Sequence, residues 1–116
     1  LLELERQIDK FLQENKDLDS VFAVNELYAV TAMKVARKMK LKIPEDIQII
    51  GFTDGVLSKH AHPPLTTVSQ NGIEMGRIAA KLLIERLENE QEDEERFETK
   101  IVNTEIIQRE TTLNLN

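Results

Sequence analysis

Four polar residues fall where an apolar, strand-like run gives way to a turn or helix: Asn25, Thr53, Asp54 and Gln70. Together they offer two amides, a hydroxyl and a carboxylate. This set suits a polyhydroxylated ligand such as a sugar or nucleoside, because carboxylate and amide oxygens accept hydroxyl protons while amide N–H groups donate. Each also has a plainer role. Asn is a favoured helix N-cap, Thr and Asp are ordinary turn formers, and Gln is commonly a surface residue.

Other chemistries have weaker support. His60 and His62 are two residues apart with no further His and no Cys, which makes a poor metal site, so no metal or cofactor is expected. Ser58, His60 and Asp54 supply the residue types of a nucleophilic triad. They lie in one turn-rich stretch without the Gly-x-Ser-x-Gly elbow, and the four glycines form no phosphate-binding loop. Catalysis is therefore not expected.

The elements that must hold the four residues are read from periodicity. Leu1, Leu4, Ile8, Phe11 and Leu12 recur at helical spacing and predict an amphipathic helix to about Asn15. Residues 20–24 read as a strand buried on both faces, as in a parallel sheet. Asn25 then opens a helix to about Lys40, with Glu26 in the positive field of its first turn. Residues 47–52 read as a second buried strand, which completes a βαβ unit. Thr53-Asp54-Gly55 is a turn, and the stretch to His62 is irregular or a short helix. Pro63-Pro64 forces extended backbone, residues 65–69 read as a third strand, and a long helix is expected from about Gly72 to Asn89. Residues 88–98, nearly all charged or amide, read as a solvated loop, 99–103 and 105–109 as β-prone, and 111–116 as a polar tail. In an open parallel sheet, ligands bind beyond the carboxyl ends of the strands, which is where the four residues lie.

The 116 residues suffice for one core, and no stretch approaches the roughly 18 apolar residues of a membrane span. A net charge of −6 opposes phosphate binding by this segment, since nonspecific nucleic-acid affinity comes from Lys and Arg displacing counterions. The chain opens inside a predicted helix and does not begin with Met, so it is expected to belong to something longer.

Six ordered blocks carry a resemblance. They are Phe22-Ala23-Val24-Asn25-Glu26-Leu27, Ile43-Pro44-Glu45-Asp46-Ile47, Ile49-Ile50-Gly51-Phe52, Pro63-Pro64-Leu65-Thr66-Thr67-Val68-Ser69-Gln70, Met75-Gly76-Arg77 with Ala79-Ala80 and Leu82-Leu83, and Arg109-Glu110-Thr111-Thr112. In this order and spacing the chain resembles the C-terminal part of the effector-binding domain of LacI/GalR transcriptional regulators. The resemblance covers nearly everything from residue 18 onward, and the Pro-Pro-Leu-Thr-Thr-Val block is its most telling part.

The resemblance implies an α/β fold, a parallel-sheet βαβ lobe of the periplasmic-binding-protein type I, Rossmann-like kind, here incomplete. Residues 1–70 and about 104–112 correspond to the C-terminal lobe. Residues of about 71–103 correspond to a helix and strand normally associated with an N-terminal lobe, which leaves the stripe Ile73, Ile78, Leu82 and Leu83 to associate with another copy or be displaced. The implied parent is a cytoplasmic homodimer that senses a small-molecule effector and contacts operator DNA through a headpiece absent from this chain. The alternative is a piece of a periplasmic sugar-binding protein of a transporter. Asn25 corresponds to the family's ligand-facing Asn and Gln70 to a cleft-side residue. The family's Gly-Phe/Tyr-Asp-Asp turn becomes Gly51-Phe52-Thr53-Asp54, so a hydroxyl stands where a carboxylate acceptor is usual and cannot make its charge-assisted bond.

Overall fold

The computed structural model describes residues 1–89 and 97–114. Contacts divide the chain into two compact units, Leu1–Ser69 with Ile106–Asn116, and Gln70–Glu105.

In the first unit, α1 (Leu2–Glu14) precedes β1 (Ser20–Ala23), α2 (Glu26–Lys38), β2 (Gln48–Phe52), the short α3 (Val56–His60) and β3 (Thr66–Ser69). β1 pairs in parallel with β2, and β2 in parallel with β3. β4 (Glu105–Ile107), which straddles the division, completes the order β1-β2-β3-β4. The result is an open, mostly parallel α/β sheet.

α2 supplies most of the core. Its small residues Ala29, Ala32 and Ala36 are buried beside Met33 and Val35, and with Ile47, Ile49 and Leu65 they form two adjoining apolar clusters. Met33, Ile49 and Leu65 are fully enclosed, and each such side chain contributes about 2 kcal/mol. Gly51 lets β2 approach α2 closely, because a Cβ at this position would lie 3.1 Å from both Ala29 Cβ and Leu65 Cδ2. α1 packs through Leu12 and Ile8, and Glu5 ties it to α2 by accepting from both Lys34 and Lys38.

Three expectations need correction. Residues 20–24 were expected to be buried on both faces, yet only Ala23 is, and Phe22 is 59% exposed. β1 is an edge strand, and Phe22 points to the face opposite the one on which Val21 and Ala23 meet the core. Residues 99–103 form no strand, whereas 105–107 do. The tail beginning at Thr111 is not a solvated end. Thr111 is fully buried, its hydroxyl donating to Ile49 O at 2.6 Å and accepting the Thr66 N–H at 2.9 Å. The Ile49 N–H donates to Thr111 O, and the Thr66 and Thr112 hydroxyls bond at 2.8 Å. Thr111 and Thr112 thus bind the start of β3, and Thr111 joins it to β2. Of the segment expected to be a solvated loop, residues 90–96 lie outside the described residues.

The second unit is built on α4 (Gly72–Glu88), which buries none of its residues and leaves Ile73 93% exposed. Asn71, in the left-handed region at φ 53°, precedes it and donates from its amide to Asn103 O at 2.6 Å. Arg86 lies over the Phe97 ring, 5.4 Å from its centroid.

Candidate functional site

The register of the parallel strands lines up the ends of β1, β2 and β3. Ala23 pairs with Gly51 and Phe52 with Val68, so continuing the ladders brings Asn25, Thr53 and Ser69 into one row at the carboxyl edge. At about 4.8 Å between neighbouring strands, the row spans roughly 10 Å.

Asn25 is the N-cap of α2, and its Oδ1 accepts the Tyr28 N–H at 2.9 Å. Only the oxygen can accept that bond, which leaves the Nδ2 group, a donor, as the end of the amide that can serve a ligand. Capping and ligand binding are therefore compatible roles for one residue.

Thr53 follows β2 with φ 83°, and its N–H donates to Val68 O at 2.9 Å. A β-branched residue there is a steric outlier costing about 1–3 kcal/mol, and such strain concentrates at functional sites. The backbone bond to β3 is one of the contacts that hold it.

Asp54 is engaged. Its Oδ1 accepts from Thr67 Oγ1 at 2.8 Å and pairs with Arg109 Nη2 at 2.7 Å, with both charged side chains more than four-fifths enclosed. Burial pushes its carboxyl up, but the bonds from Arg109 and Thr67, with the Arg109 and Lys59 charges, outweigh it and hold the group below its ordinary value. Arg109 also donates to Leu65 O at 2.7 Å, so the Arg-Glu-Thr-Thr segment anchors the turn as well as the strands.

Gln70 is the first residue of the second unit and comes directly after β3. Ser58, fully buried, donates its hydroxyl to Glu26 Oε2 at 2.7 Å, while Asp54 pairs with Arg109. Ser58 and Asp54 are thus committed to other partners, and His60 is exposed. Among the described residues no group of three His, Cys, Asp or Glu is arranged to hold a metal, and no helix is long and apolar enough to cross a membrane. A cavity of about 420 Å³ lined by Leu12, Leu18, Met39, Leu41 and Ile47 among others opens at the amino ends of the strands, away from this row.

The network missed in the sequence comprises Glu26, Ser58, Thr67 and Thr111. Glu26 reads only as a favourable charge at a helix start, and nothing local marks its reach to α3. Arg109 and Thr111 carried a signal, their place in the Arg-Glu-Thr-Thr block, without a role attached.

Residues 3–112 match the periplasmic binding protein-like domain family. The chain belongs to this family, and its curated relatives include HTH-type transcriptional regulators and repressors. It is 33% identical over 102 residues to the HTH-type transcriptional regulator CelR of Thermobifida fusca, covering 88% of this chain and 29% of the relative. With the ribose operon repressor of Halalkalibacterium halodurans it shares 37% identity over 101 residues, 87% of this chain and 30% of the relative. Among solved structures, a complex of transcriptional regulator CelR with cellobiose superposes with a TM-score of 0.78 at 31% identity, covering 93% of this chain and 32% of the other. The chain therefore spans about a third of the length of the proteins it matches, and these are transcriptional regulators, not enzymes.

Proposed function

We infer that this chain is the effector-sensing part of a LacI-type transcriptional regulator, and that it takes a sugar-like or nucleoside-like effector at the carboxyl edge of its sheet. The row Asn25, Thr53 and Ser69 carries this reading, because it combines an amide whose donor end is available with a strained hydroxyl-bearing residue. The proposed contacts are Asn25 through Nδ2, Thr53 through its hydroxyl, Asp54 through the carboxylate oxygen not engaged by Arg109 and Thr67, and Gln70 on the strength of the resemblance. The pairing of Asp54 makes it a weaker acceptor than a free carboxylate, so this turn favours ligands that accept bonds as well as donate them. The cellobiose in the complex of the related CelR supports the sugar class.

An effector transmits a signal only if it binds one arrangement of the regulator better than another. The parent would act as a cytoplasmic homodimer on operator DNA through a separate headpiece, since the charge of −6 leaves this segment unsuited to phosphate contacts. The alternative, a transporter's sugar-binding protein, is disfavoured by the regulators among its relatives.

The test is a thermal-shift panel of cellobiose, ribose, sugar phosphates and purines on the protein with its natural flanking sequence. A ligand at a hundred times its dissociation constant adds about 2.7 kcal/mol. A hit abolished by Asn25→Ala and by Gln70→Ala supports the reading; a hit that both substitutions leave unchanged overturns the site.

A further inference from the structure

One carboxylate beside the proposed site accepts three hydrogen bonds through a single oxygen. Glu26 follows Asn25 at the start of α2, and its Oε2 accepts from Gly55 N at 3.1 Å, Ser58 N at 3.2 Å and Ser58 Oγ at 2.7 Å. Gly55 is the N-cap of α3 and lies next to Asp54, so a side chain from one strand-end loop caps the helix of the next. α3 has no cap of its own, because Gly55 carries no side chain. The fit is close: a Cβ on Gly55 would lie 2.2 Å from Glu26 Oε1 and 2.7 Å from its Cδ. Ser58 is 0% exposed, so its hydroxyl and N–H depend on Glu26 for satisfaction.

We propose that Glu26 is a positioning residue: its carboxylate fixes the Thr53–Gly55 turn against the start of α2, setting Thr53 relative to Asn25. The proposal rests on the effector reading for its functional consequence, and on the geometry alone for the coupling of the two loops. The turn is held on its other side by the Thr53 N–H to Val68 O and by Asp54, which bonds Thr67 and Arg109, while the three bonds to Glu26 join it to the start of α2. Gly55 is the required counterpart of a side chain as long as Glu.

The experiment combines residue-resolved amide hydrogen exchange with calorimetric titration of cellobiose, on the protein with its natural flanking sequence. Glu26→Gln is expected to speed exchange about tenfold or more at Gly55 and Ser58 and also at Thr53, whose amide bonds β3 rather than Glu26. Gly55→Ala should do the same, because its methyl group would displace the Glu26 carboxylate. Faster exchange confined to Gly55 and Ser58 would reduce Glu26 to a cap of α3 and overturn the proposal. In the titration, Glu26→Gln should weaken cellobiose about tenfold, in step with Asn25→Ala. Weakening by Asn25→Ala alone overturns the positioning role. No weakening by Asn25→Ala overturns the effector site instead, and no cellobiose binding overturns cellobiose as the effector; in both cases the Thr53 amide decides the coupling.

Discussion

The Thr111 hydroxyl donates to the carbonyl of Ile49, 62 residues earlier, while accepting the N–H of Thr66. One buried hydroxyl thereby satisfies backbone groups of two neighbouring strands. Thr111→Val keeps the shape but strands a buried N–H and a buried carbonyl bond, and should cost about 2–4 kcal/mol. Thr111→Ser should cost less. Urea unfolding of the two variants checks the order.

Asp54 and Arg109 form a largely enclosed pair supported by Thr67. Asp54→Asn leaves the guanidinium without its charged partner and should lower stability by about 2 kcal/mol, with Arg109→Met at least as costly because Leu65 O also loses its donor. A double-mutant cycle on unfolding free energies should show strong coupling; additive effects would mean that the pair is not a unit.

Thr53→Gly relieves the positive φ and should stabilise the protein by about 1 kcal/mol after the greater freedom of glycine in the unfolded chain is subtracted. The same substitution removes the hydroxyl proposed to meet the effector. A higher melting temperature combined with weaker effector binding is the expected signature. A lower melting temperature would show that the backbone there is not strained.

Acid should act partly through Glu5. The hydrogen bonds from Lys34 and Lys38 hold its carboxyl down, from an ordinary 4.5 to about 2. A pKa lowered in the folded state contributes stability that is complete above about pH 4.5 and is lost as pH falls towards 2. Asp54, also lowered from its ordinary 3.8, adds to the loss at the bottom of that window. Glu5→Gln should flatten the stability profile between pH 4.5 and 2 without changing its shape above pH 5, as read by denaturant midpoints across the range. Added salt should reduce the effect, since both lysines are more than half exposed.

The helices were legible because their apolar residues repeat at a period set by the backbone alone. α1, α2 and α4 each begin or end within two residues of the sequence reading, and Asn25 caps α2 as its type suggests. β2 was legible from its largely apolar, β-branched stretch, Ile49 and Ile50 ahead of Gly51 and Phe52. What failed was non-local. The exposure of Phe22 follows from which face of β1 meets the core, and the burial of Thr111 from two strands more than forty residues away, neither of which leaves a mark on neighbouring residues. For the candidate site, Asn25 and Thr53 could be found from their positions at strand ends. The partners of Asp54 and the reach of Glu26 to α3 could not, because a carboxylate in a turn looks the same whether it faces solvent or a guanidinium 55 residues ahead.

The outermost position of β1 also bears on how this segment behaves in the test tube. A short strand with Phe22 bare on its surface, and a row of backbone groups along its outer side, is a template on which another extended chain can add. Handling at high concentration therefore selects for edge-to-edge growth. A lysine in place of Phe22, which would interrupt that template without entering the core, is the simplest change to keep the sheet from lengthening itself.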